Sequence, residues 1–81
     1  MGNPIECLQK INDVRTDVQG NDPRTWMKSC AEKTLLSGGN GGDFKQCLID
    51  KMESTSQHIQ DPKGYADKLY DEIKGACTLW N

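Results

Sequence analysis

The segment DFKQCLIDKMESTSQHIQ, running from Asp43 to Gln60, decides how the rest of the chain is read. Phe44, Cys47, Leu48, Met52, Thr55 and Ile59 recur along it at helical steps, which puts them on one stripe of an α-helix. A glycine-rich break precedes it, and one of the four cysteines of the chain lies on the stripe. The segment is therefore expected to be a core helix, capped by Asp43, and also a point of covalent attachment.

Outward from it, three further segments read as helices cut to match. On the N-terminal side, Asp22 and Pro23 supply a cap and a first-turn proline. Met27, Cys30, Ala31 and Thr34 then form a stripe flanked by Trp26 and Leu35. The run Ser37-Gly38-Gly39-Asn40-Gly41-Gly42 ends that helix and reads as a flexible connector. Further upstream, Asn3, Pro4 and Glu6 give cap, first turn and capping-box spacing. Cys7, Ile11, Val14 and Val18 follow as a stripe with Ile5 and Leu8 beside it, and Gly20 is the expected stop. On the C-terminal side, Asp61-Pro62 repeats the start signal, and Ala66, Leu69, Tyr70, Ile73, Ala76, Cys77 and Trp80 line the last helix. Four helices of about 15–17 residues, each close to 24 Å long, predict an all-α, antiparallel up-down-up-down four-helix bundle in a single domain, residues 1–81.

Size makes that bundle marginal. A chain of 81 residues with 35% apolar composition buries only about 60–65% of its unfolded surface, and small scaffolds of this kind need a staple. Four cysteines with no C-x-x-C pair read as two disulfides, hence an oxidising compartment. With alternating helix directions all four cysteines fall toward one end of the bundle. Pairing the first helix with the third and the second with the fourth needs two crossing diagonals and is disfavoured by the short reach of a disulfide. Cys30–Cys47 with Cys7–Cys77 matches heights best, and Cys7–Cys30 with Cys47–Cys77 is the runner-up. The preferred bridges close loops worth about 3 and about 4 kcal/mol in chain entropy, so the reduced protein is expected to be largely unfolded.

Charge excludes several functions. Ten basic and twelve acidic residues are interspersed, for a net charge of −2, and there is no basic block for phosphates, which argues against nucleic acid. No apolar run is long enough to insert into a membrane. The opening MGNPIE is a poor myristoylation signal, with Glu6 where Ser or Thr is wanted. No signal peptide opens the sequence, so a secreted protein implies that one was removed and Met-Gly added.

Catalytic and metal readings fare no better. His58 is the single histidine and lies about 16 Å along its helix from Cys47, too far for a nucleophile–base dyad. A four-cysteine metal site would draw each ligand from a different helix, unlike the close cysteine pairs of structural zinc. The glycine run lacks the Gly-Lys-Ser/Thr ending of a phosphate loop, and neither it nor Asp17–Asp22 carries the alternating ligands of a calcium loop. Asp67, Asp71 and Glu72, mixed with Lys68 and Lys74, read as a solvated helix face.

The aromatics and one isoleucine remain. Trp26 is one residue off its stripe, Tyr65 and Tyr70 flank the last helix, Trp80 follows Cys77, and Ile49 interrupts a polar face. Trp26, Ile49, Tyr70 and Trp80 are the candidate partner-binding residues. The same residue types serve equally as lids on a thin core. No catalytic, cofactor-binding or metal-binding residue is assigned, and no cofactor is expected. The resulting expectation is a secreted, non-enzymatic helical protein, monomer or weak dimer, that binds a protein partner or receptor, of signalling, pheromone, venom-toxin or salivary type. One alternative is a carrier holding a small lipophilic ligand among Ile11, Val14, Met27, Met52, Leu69 and Ile73. A second is an intracellular protein whose four cysteines, Cys7, Cys30, Cys47 and Cys77, hold a metal.

Overall fold

A computed structural model of the protein describes residues 4–14, 22–55 and 59–77. Among them there are four helices and no strand: α1 (Pro4–Asn12), α2 (Pro23–Ser37), α3 (Gly41–Ser54) and α4 (Pro62–Ile73). Each helix packs on the next in sequence and α4 returns to α1, with α3 on α4 the most extensive contact. The antiparallel order stays an expectation from the short links. Asn3, Val18, Gly20, His58 and Trp80 lie outside the described residues.

Local chemistry sets the helix starts. Asp22 accepts from the Arg24 N–H at 3.0 Å, with Pro23 in the first turn, and Asp61 accepts from the Gly64 N–H at 3.2 Å ahead of Pro62. Asp61 holds φ 49° and ψ 66°, a left-handed conformation that Asp tolerates better than most residues. A side chain at Gly64 would collide with the Asp61 carboxylate.

The four inward faces are Cys7, Ile11 and Val14 on and after α1, Met27, Cys30, Ala31 and Thr34 on α2, Phe44, Leu48 and Met52 on α3, and Ala66, Leu69, Ile73 and Cys77 on and after α4. They form one core. Among the described residues the one polar residue buried in it is Thr34, whose hydroxyl donates to the Cys30 carbonyl at 2.7 Å.

Both disulfides follow the preferred pairing. Cys7–Cys77 spans 4.7 Å between Cα atoms and Cys30–Cys47 spans 5.7 Å, within the ordinary range. Their placement differs from the expected cluster at one end. Cys30 and Cys47 sit at the middles of α2 and α3, whereas Cys7 lies in the first half of α1 and Cys77 follows the end of α4.

That difference comes from helix boundaries. The helices are 9, 15, 14 and 12 residues long, mostly shorter than expected. α3 starts earlier and stops earlier than its stripe suggests. Asn40, not Asp43, is the cap: Asn40 Oδ1 accepts from the Asp43 N–H at 3.1 Å, and Asp43 Oδ2 accepts from the Asn40 N–H at 3.0 Å. Two donors that would otherwise lack partners are thereby satisfied. Downstream, Thr55 turns extended at φ −77° and ψ 153°, in a Ser-Thr-Ser run whose side chains compete with the helical backbone. The Ser54 hydroxyl donates to the Lys51 carbonyl at 2.8 Å. Ile59 still reaches the core, but from a non-helical segment. α4 likewise ends at Ile73, before Gly75, and not near Trp80.

The glycine run is a built corner, not a loose tether. Gly38 takes φ 70° as the α2 C-cap, and the Gly38 and Gly39 N–H groups donate to the Leu35 and Thr34 carbonyls at 3.4 and 3.0 Å. This is the left-handed ending that glycine favours. Gly41 and Gly42 belong to α3.

Candidate functional site

Of the four expected binding residues, the structure describes three. Trp26 projects from α2 and is half-buried against the core. Tyr70, on α4, is half-buried over the start of α3, its ring centroid 5.9 Å from that of Phe44. Lys45 Nζ lies 5.4 Å from the Tyr70 centroid and 3.3 Å from Asp67 Oδ1. Tyr70 also touches the backbone at Gly41 so closely that a Cβ there would lie 2.7 Å from Tyr70 Cζ and closer still to the hydroxyl. Tyr70 is thus chiefly part of the α3–α4 seam.

Ile49 has a different setting. It is half-buried on α3 in an open cleft of about 360 Å³ with Gln46, Glu53, Asp61, Pro62 and Lys63. Neither Trp26 nor Tyr70 lines that cleft.

Two exposed apolar residues stand outside the candidate set, Ile5 having been expected only beside the first stripe. Leu36 is 90% exposed near the end of α2, and Ile5 is 67% exposed on α1. The signal for Leu36 was available, because it stands two residues past Thr34, about 200° round the helix from the stripe.

A second cleft, of about 440 Å³, opens between the end of α2 and the stretch of α3 that carries Asp43, Gln46, Cys47 and Asp50. Lys33 and Ser37 form one wall, Asp43, Gln46 and Asp50 the other, and Cys47 lines it. The Gln46 amide donates to Asp50 Oδ1 at 3.0 Å. On α4, Asp67, Asp71 and Glu72 are exposed, and Lys74 Nζ is 3.3 Å from Asp71 Oδ1.

An ion pair at the start of α2 also reaches the end of α1. Arg24 donates Nε to Asp22 Oδ1 and Nη2 to Asp22 Oδ2, both at 2.9 Å, and Nη1 to the Asn12 carbonyl at 3.3 Å. The side-chain and then the backbone hydrogen bond from Arg24 hold the Asp22 carboxyl below its ordinary pKa, and the bond to Asp22 and its charge push the Arg24 guanidinium higher. The arrangement ties the end of α1 to the cap of α2.

All four sulfurs are bonded in pairs, so no thiolate is left for a four-cysteine metal site or for a cysteine nucleophile. No helix among the described residues is long and apolar enough to cross a membrane. No protein-family model, curated protein or solved structure matches the chain.

Proposed function

We propose that this is a secreted helical protein without catalytic activity that works by binding a macromolecular partner, of the signalling, pheromone, venom-toxin or salivary kind. The observation that carries the reading is the pair of nested disulfides. Bridges of this type persist in oxidising, extracellular surroundings. They also hold a thin core together covalently, which frees apolar side chains for the surface. Ile5 and Leu36 are placed there, and Trp26 and Ile49 are half-exposed.

The six residues expected to line a carrier cavity favour a packed core. Ile11, Val14, Met27, Met52, Leu69 and Ile73 are at most 5% exposed and belong to one contiguous cluster.

The test uses fluorescently labelled, oxidised protein on cells and extracellular extracts of the source organism. Saturable binding displaced by excess unlabelled protein, and abolished by prior reduction and alkylation, is the expected result. Alkylation of cysteine only after reductant is expected in the protein isolated from its natural source. Free thiols in that protein, or stoichiometric saturable uptake of a fluorescent fatty acid without displaceable partner binding, would overturn the reading.

A further inference from the structure

We propose that Cys47 is a thiol-exchange site, at which a small zwitterionic thiol of the glutathione type enters the α2–α3 cleft and opens Cys30–Cys47 while Cys7–Cys77 stays closed. Exchange at this position does not depend on the binding of a macromolecular partner.

Exchange requires a thiolate to reach one sulfur of the bond. Cys7, Cys30 and Cys77 are each 0% exposed. Cys47 alone is partly exposed, and it lines the cleft of about 440 Å³. Both residues of one bridge are therefore buried, while one residue of the other borders a cleft.

The cleft also has the charge pattern for such a reagent. Lys33 supplies a cation for a carboxylate, while Asp43 and Asp50 supply anions for an ammonium group. Asp50 Oδ1 is occupied by Gln46 and Asp43 Oδ2 by the Asn40 N–H. Each carboxylate keeps further acceptor capacity for a ligand.

The chemistry balances with the thiol as reductant. Its thiolate attacks Cys47 Sγ, the bond to Cys30 Sγ breaks, and the electron pair leaves on Cys30, which takes up a proton. The product is a mixed disulfide at Cys47 and a thiol at Cys30. A second thiolate attacks the small thiol's sulfur, releasing the small disulfide and a Cys47 thiolate that is then protonated. Overall, two small thiols are oxidised and the protein gains two hydrogens. Before that second step, Cys30 can attack Cys47 and restore the bridge, so the modification is reversible. Because the bond joins the middles of α2 and α3, opening it releases their mutual clamp and leaves the α1–α4 clamp in place.

The oxidised protein is incubated with excess reduced glutathione, quenched with acid, alkylated and mapped by peptide mass spectrometry. The expected first product carries glutathione on Cys47, the alkyl group on Cys30 and an intact Cys7–Cys77. Cys30–Cys47 should open at least about tenfold faster than Cys7–Cys77. Simultaneous opening, earlier loss of Cys7–Cys77, or glutathione on Cys30 would overturn the proposal. Lys33→Glu changes an exposed side chain and leaves the core intact. It should lower the ratio of the glutathione rate to the rate with 2-mercaptoethanol, which has no carboxylate, by about fivefold. An unchanged ratio would refute charge recognition by the cleft.

Discussion

Replacing Gly41 with alanine sets two effects against each other, and the structure decides the sign. Alanine is the better helix former by at most about 1 kcal/mol, and less at the first helical position. Against that, the new methyl would lie 2.7 Å from Tyr70 Cζ and 3.2 Å from Cε1, with the hydroxyl nearer still. Gly41 is buried and the ring is held against Phe44, so relief requires α4 to move or Tyr70 to leave its place. Overpacking of this kind costs about 1–3 kcal/mol, and the net expectation is a loss of about 1–2 kcal/mol. Urea unfolding followed by circular dichroism at fixed protein concentration measures it. In a Tyr70→Ala background the methyl meets space left by the ring, so Gly41→Ala should there be neutral or slightly stabilising. The cycle should return a coupling of at least about 1 kcal/mol. Stabilisation by Gly41→Ala in the parent protein, or additive single effects, would refute the seating of α4 on the start of α3.

Other expectations concern the staples, the core and one cap. Removing Cys7–Cys77 by paired serine substitution should cost about 4 kcal/mol and removing Cys30–Cys47 about 3 kcal/mol. Denaturant midpoints order the two, and the fully reduced, alkylated chain should lose most of its helical signal. Phe44→Ala should destabilise by about 3–5 kcal/mol, whereas Leu36→Ser should stay within about 0.5 kcal/mol; an equal loss would mean that Leu36 is packed. The pKa of Asp22 is lowered in the fold, by its side-chain and then its backbone hydrogen bond with Arg24. The resulting stabilisation is present above about pH 4 and is lost as pH falls through the folded value. Thermal midpoints from about pH 6 to about pH 2 should show the parent ahead of Asp22→Asn at the upper end, with the gap closing in acid.

What the chain disclosed in advance was local or combinatorial. Asp22-Pro23 and Asp61-Pro62 were legible because a cap and a first-turn proline act within four residues. The disulfide partners were legible because four ordered helices leave few pairings within sulfur reach. The α3 start was misplaced, although Asn40-x-x-Asp43 has capping spacing, because the surrounding glycines resemble a tether. Its early end at Thr55 was hidden because Ile59 keeps the helical interval although it belongs to no helix. Trp26 and Tyr70 stood off or beside their stripes, and periodicity does not say whether such a ring faces solvent or a neighbouring helix. Tyr70 became readable only once α4 was seen against Gly41. The cleft beside Cys47 depends on how two helices diverge, which no single segment encodes.

The outer disulfide makes the chain from Cys7 to Cys77 a covalent ring, with Cys30–Cys47 as a chord inside it. One hydrolytic cut anywhere in that ring adds a water and detaches nothing. A protease must therefore strike the ring at least twice before it can carry a piece of it away, and after one cut between Cys30 and Cys47 the two fragments of the chain are still joined by both disulfides.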